Sequence, residues 1–142
     1  RPMESLIFDT TFLIDFQRER NLRPGAAHAF LEEHRESYAW LPIVAYAEYA
    51  EGFEDRSDAS FLSVVESFEI LPVIRPVADT YARIARTLRQ QGRLIGSNDL
   101  LIAGHARSRS LIVVTGNLRE FARVEGLRCE DWPAGPAGPY LT

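Results

Sequence analysis

The 142-residue sequence predicts an α/β domain, a three-layer sandwich in which helices cover both faces of a central, mainly parallel β-sheet. Three observations carry that prediction. Short apolar segments alternate along the chain with amphipathic segments of helical period. One segment, residues 111–115 (LIVVT), is almost wholly apolar and β-branched, as a strand covered on both faces requires. No internal repeat or linker interrupts the chain, so residues 1–142 are expected to form one domain. Arg1 and Pro2 read as an added pair ahead of Met3, and residues 133–142 as a Pro/Gly-rich, irregular tail.

The elements follow in order. Residues 5–9 (SLIFD) predict a strand that ends in an acid. Residues 11–19 place Phe12, Leu13 and Phe16 at helical spacing, and Pro24 is positioned to open a second helix with Ala27, Phe30 and Leu31 inward. Residues 38–41 predict a second strand stopped by Pro42, and residues 43–54 a helix with Val44, Ala47 and Ala50 inward. Asp58 is expected to cap a helix carrying Phe61, Leu62, Val65 and Phe68. Residues 69–74 predict a third strand. Residues 77–91 form the clearest amphipathic helix, with Val77, Tyr81, Ile84, Ala85 and Leu88 facing in, Arg83, Arg86 and Arg89 facing out, and Gly92 ending it. A helix capped by Ser97 leads into the strand at 111–115. Asn117 and Glu120 have capping-box spacing for a short helix, and residues 127–130 predict a last edge strand.

Composition narrows the function classes. No apolar run is long enough to span a membrane, and Cys129, the only cysteine, excludes an internal disulfide and a cysteine zinc cluster, so a cytoplasmic protein is the simplest expectation. The net charge of −4 does not by itself suggest a nucleic-acid binder, but charge is segregated. Residues 32–69 hold ten acids against Arg35 and Arg56, whereas residues 75–109 hold seven arginines against Asp79 and Asp99. The chain has no lysine, which excludes any mechanism that needs one.

Four polar residues stand out. Asp9 follows the first strand, Glu48 lies in an apolar helix, Asp99 opens a helix, and Asn117 follows the strand at 111–115. Each has a structural explanation: a helix cap for Asp9, a solvated helix face for Glu48, a favourable helix-dipole position for Asp99, and the capping box for Asn117. Together they suggest chemistry, because ligands in parallel α/β sheets bind beyond the carboxyl ends of the strands. Two carboxylates ~4 Å apart repel by ~4 kcal/mol at an effective dielectric of 20. A hard divalent cation relieves that repulsion, and oxygen donors without cysteine or clustered histidine favour Mg²⁺ or Mn²⁺ over Zn²⁺. Such ions characteristically act on phosphates. His28, His34 and His105 are dispersed along the chain, and Trp40 and Trp132 read as packing residues.

The segments LIFDTTFLID, AYAEYAEGF, IGSNDLLIAGHA and IVVTGNLREF, in this order across residues 5–132, resemble the PIN domain and, within it, the VapC ribonuclease toxins of toxin–antitoxin pairs. The resemblance implies a Mg²⁺-dependent (or Mn²⁺-dependent) endoribonuclease. Asp9, Glu48 and Asp99 match the family's acids, and Asn117 falls where many relatives carry a fourth acid. Asp9 and Asp99 are expected to hold the metal and Glu48 to orient or deprotonate the attacking water, leaving a 5′-phosphate and a 3′-hydroxyl. Thr10 and Thr115 match supporting hydroxyl positions. The family further implies an RNA substrate, a cognate VapB-type antitoxin and a homodimer. Arg83, Arg86 and Arg89 are candidates for the RNA backbone. The alternative is a PIN-like module that binds RNA or protein without cutting. A phospho-receiver domain needs an acidic pair after the first strand and a late lysine, a haloacid-dehalogenase-type phosphatase needs Asp-x-Asp around the first strand, and the glycine-rich phosphate loops are absent, so none of these fits.

Overall fold

The computed structural model of the protein describes residues 3–19 and 25–132. Five strands, β1 (Ser5–Phe8), β2 (Tyr38–Pro42), β3 (Glu69–Leu71), β4 (Ile112–Val114) and β5 (Cys129–Glu130), form one sheet in the order β3-β2-β1-β4-β5. Every pairing is parallel. The expectation of a mainly parallel sheet between helical layers is met.

Alternation along the strands builds two cores. Leu6 and Phe8 of β1, Leu41 of β2, and Ile112 and Val114 of β4 point to one face. There they meet α1 (Thr10–Arg18), α2 (Ala26–Glu33), α3 (Ile43–Glu51) and α4 (Ala59–Val65). Ile7 and Val113 point to the other face, beneath α5 (Arg75–Gln90) and α6 (Ser97–Arg109), with α7 (Leu118–Phe121) at its margin. The first core is aromatic: Phe8 lies 4.7 Å from Phe12 and 5.0 Å from Phe68 between ring centroids, and Phe12 lies 4.9 Å from Trp132. Such pairs contribute about 0.5–1.5 kcal/mol each beyond their burial. Phe8 and Phe12 flank Asp9 in sequence, so the core fixes the backbone on both sides of that acid.

On the second face α5 and α6 approach closely. A Cβ on Gly104 would lie 3.0 Å from the Val77 carbonyl oxygen and 3.3 Å from the Tyr81 nitrogen, so only glycine permits this separation without a shift. At the start of α2, Glu19 crosses from the end of α1 and accepts from the backbone N–H of Ala27 (2.8 Å) and of His28 (3.0 Å). It thereby satisfies donors that a helix start leaves unpaired.

Several local expectations are corrected. Pro72 withholds an N–H and ends β3 at Leu71, three residues early, and Pro76 lets α5 begin at Arg75 rather than 77. Pro42 belongs to β2, where it is paired in register with Leu71. The helix after it ends at Glu51 and buries Ala45, Tyr49 and Ala50, while Ala47 is exposed. Val64, not Leu62, faces the core from α4. Gly96 caps α6 in place of Ser97, which is the first helical residue. Asp58 caps α4 as expected, accepting from Ser60 N at 2.8 Å and Phe61 N at 3.2 Å. Pro24 and the 133–142 tail lie outside the described residues.

Candidate active site

The strand order places β1 beside both β2 and β4: the chain runs from β1 outward to β2 and β3, then crosses to β4 on the other side of β1. That is a topological switch point, and the crevice at the carboxyl ends of β1 and β4 is where such folds bind ligands. Asp9 follows β1 there and Thr115 follows β4.

Asp9 is only 3% exposed. Its carboxylate accepts from the hydroxyls of Thr11 and Thr115, both at 2.5 Å, and from Phe12 N at 3.4 Å. It therefore caps α1 and stands in the site at once. Burial raises its pKa above the ordinary value, and the two hydroxyls and the backbone donors oppose that rise. The threonines are fixed in turn: Thr11 Oγ1 accepts from Gly116 N at 2.9 Å, and Thr115 Oγ1 accepts from Asn117 N at 2.8 Å.

Glu48 projects from α3 and is exposed, but both of its oxygens are held. Thr10 donates to Oε1 at 2.8 Å and the Asn98 amide donates to Oε2 at 2.9 Å. Asp99, in the first turn of α6, is half-buried and less well provided for. The Asn117 amide reaches its Oδ2 at 3.4 Å and reaches Glu120 at 3.5 Å. Burial, then a hydrogen bond and repulsion from Glu120, then the charges of Asp9 and Glu48, push the Asp99 carboxyl up to about 7. All three acids thus act on one place.

The structure brings together Asp9, Glu48, Asp99, Asn117, Thr10 and Thr115 as the sequence suggested. Arg83, Arg86 and Arg89 are exposed on the outer face of α5 and touch none of these. Two further contributors were not foreseen. The sequence suggests Glu120 as half of a capping box, yet Asn117 makes no side-chain cap, and both residues turn towards Asp99. The i, i+3 spacing that suggested the box also puts two side chains on one helix face, which is the signal for the alternative. Asn98 had no such signal, because its partner lies 50 positions away.

Among the described residues no three acidic, imidazole or thiol groups are grouped tightly enough to hold one metal ion between them. Mg²⁺ ordinarily retains several waters and takes only one or two carboxylates from the protein. An oxygen-only donor set in which burial and acidic neighbours push one carboxyl up to about 7 suits that mode of binding. Asp9, directly after β1, and Asp99, in the first turn of α6, offer carboxylate oxygens of the kind such an ion takes.

A family model described as PIN domain matches residues 6–127. The tRNA(fMet)-specific endonuclease VapC of Shigella flexneri is 49% identical over 75 residues, covering 50% of this chain and 57% of that protein. The match thus spans little more than half the length of that relative. Ribonuclease VapC1 of Haemophilus influenzae (strain R2866) is 35% identical over 97 residues, covering 65% of this chain and 72% of that protein. Among solved structures, DNA-bound VapBC from Salmonella typhimurium superposes with a TM-score of 0.76 at 31% identity, over 92% of this chain and 100% of that one.

Proposed function

The chain belongs to the PIN-domain family, and from that premise we propose that it is a metal-dependent endoribonuclease, the toxin of a VapBC-type toxin–antitoxin pair. The observation that carries the reading is the meeting of Asp9, Glu48 and Asp99 at the switch point, with the Asp99 carboxyl pushed up to about 7 by burial and then by its acidic neighbours. Acids that converge on one crevice suit a phosphodiester substrate brought in with a cation.

Asp9 and Asp99 would hold Mg²⁺ or Mn²⁺. When bound, the ion offsets the negative charge of the cluster and stabilises charge on the phosphoryl oxygens. Glu48, its two oxygens held by Thr10 and Asn98, is aligned to take a proton from the attacking water. Thr11 and Thr115 keep the Asp9 carboxylate in one orientation. Asn117 donates to Asp99 and keeps a carbonyl oxygen for the site. Arg83, Arg86 and Arg89 lie exposed on α5, available to phosphates outside the reacting one. The partners on this reading are RNA, a VapB-type antitoxin whose basic side chain meets the acids, and a second copy of the chain. The setting is the cytoplasm; among the described residues no helix is long and apolar enough to cross a membrane.

The test is cleavage of total cellular RNA by the purified, antitoxin-free protein, with Mg²⁺ or EDTA, beside Asp9→Ala and the more conservative Asp9→Asn. Cleavage that needs both the ion and Asp9 supports the proposal. Folded protein that binds Mg²⁺ but leaves RNA intact favours a binding module. Folded protein that binds no divalent ion overturns the carboxylate reading itself.

A further inference from the structure

We infer that the cleft between the C-terminal halves of α5 and α6 and the segment after α7 is a binding site for the phosphates of single-stranded RNA, outside the acidic crevice and continuous with it. The inference rests on the nuclease reading for the identity of the strand, and on the cleft itself for everything else. The cleft has a volume of about 540 Å³, and Arg93, Arg107 and Arg123 line it together with Thr87, Gln91 and Glu125. Among the described residues no carboxylate is in ion-pair contact with any of the three guanidinium groups. In a chain of net charge −4, three cations around one cleft with a single acid form a marked local reversal of sign.

Two of the arginines are pre-aimed by neutral partners. Arg107 donates through Nη2 to the Glu125 carbonyl oxygen, and Arg123 donates through Nη1 to the carbonyl oxygens of Arg93 (3.4 Å) and Leu94 (3.3 Å). A guanidinium has five donors, so these contacts fix direction and leave most of the fork free for phosphate oxygens.

The same contacts place the cleft relative to the acids. The segment from Asn117 to Glu125 runs beside α6: Asn117 meets Asp99 in the first turn of that helix, and Glu125 meets Arg107 eight residues further on. At the rise of an α-helix, eight residues are about 12 Å. Arg123 also ties this segment to the loop just before α6, which carries Arg93. A strand with one phosphodiester at the acids therefore meets a seam that leads to three arginines. The acids repel every phosphate except the one brought in with a cation, so nearby positive charge is what a polyanion needs to remain there.

The experiment is fluorescence anisotropy with a labelled, single-stranded RNA oligonucleotide and the full chain in EDTA, where hydrolysis does not interfere, over a series of KCl concentrations. Replacing Arg93, Arg107 and Arg123 together by alanine is expected to weaken binding at least tenfold at low salt and to reduce the slope of log K against log salt by about 2, the value for three phosphate contacts to a single strand. Alanine at 107 and 123 also removes loop contacts, so two further variants separate charge from fold. Arg93→Ala alone, which takes away no side-chain contact described above, is expected to lower the slope by about 0.7. Lysine at all three positions is expected to keep the parental slope. The triple alanine variant at Arg18, Arg35 and Arg56 carries the same charge change among exposed residues of the helical layer on the other face of the sheet and is expected to cost under threefold. Parental affinity and slope in the cleft variants, an equal loss in that control variant, or no measurable binding by the parent would each overturn the inference. Competition by a mononucleotide as effective as that by the strand would reassign the cleft to a small phosphate ligand. Binding without cleavage in Mg²⁺ would remove the nuclease reading and leave the cleft standing.

Discussion

Removing the Asn98 amide by Asn98→Ala takes one of two clamps from Glu48. Asn98 donates to Oε2 at 2.9 Å while Thr10 keeps Oε1 at 2.8 Å. A hydrogen bond to an ionised group contributes about 1.5–3 kcal/mol, and solvent exposure of Glu48 brings the expected effect down to about 1–2 kcal/mol. If that alignment is needed only as the water loses its proton, the loss falls on kcat, about 5- to 30-fold, with KM within a factor of two. Asn98 would then be a positioning residue that acts through Glu48 alone. The decisive assay is single-turnover RNA cleavage by Asn98→Ala, Glu48→Ala and the double variant. Once Glu48 is gone, losing Asn98 is expected to change the residual rate less than twofold. A parental kcat in Asn98→Ala, or the same loss in the Glu48→Ala background, would refute the reasoning and make Asn98 a structural residue of α6.

His105 is completely buried, neither ring nitrogen has a hydrogen-bond partner among the described residues, and burial, helped by Arg109, lowers its pKa to about 4. Above pH 6.5 it is neutral in both states; as pH falls towards 4 the unfolded chain takes up a proton that the fold refuses, so stability declines by about 3 kcal/mol, a component that urea unfolding of His105→Leu is expected to lack. Gly104→Ala sets a methyl 3.0 Å from the Val77 carbonyl oxygen and is expected to cost about 1–3 kcal/mol in urea unfolding by forcing α5 from α6. Asp99→Asn is expected to abolish cleavage yet raise the Tm of the metal-free protein by several degrees at pH 8, because it deletes a carboxylate that burial and its acidic neighbours push up to about 7; the gain is expected to shrink as pH falls below 7 and to vanish only near pH 4, where the unfolded chain also binds the proton.

What the sequence made legible followed from local rules. The strand at 111–115 has too few polar residues to face water, and α5 alternates apolar and arginine residues at helical period, so both are visible without tertiary knowledge. Asp9 and Asp99 stood out because each joins an apolar segment to a polar turn. The errors came where two local rules competed. Ser97 has the better capping side chain, but Gly96 takes the cap and Ser97 opens the helix. Asn117 and Glu120 have the spacing of a capping box, but the electrostatics of Asp99 claim both side chains. The clamp on Glu48 and the arginine cleft were not legible at all. Their members come from separate elements that only the crossing of α3 with α6, and of α5 with the segment after α7, brings together.

The three acids are held in three different ways, and the differences imply a division of labour. Asp9 is buried, and threonine hydroxyls and a backbone N–H meet its carboxylate, so its geometry is fixed before any ligand arrives. Glu48 is exposed and gripped by two neutral donors, which prevents it from swinging freely. Asp99 is half-buried, has the Asn117 amide only at 3.4 Å, and shares a hydrogen bond with Glu120, an acid that also repels it. The repulsion in the crevice is therefore concentrated at Asp99 rather than shared equally. On the metal-dependent reading a cation would gain most on that side, between elements packed by the aromatic core beneath Asp9 and by the close glycine contact of α5 with α6. On the metal-dependent reading proposed above, stability and chemistry would thus be opposed at Asp99, whose ionised form burial and its acidic neighbours disfavour and which a bound cation would favour.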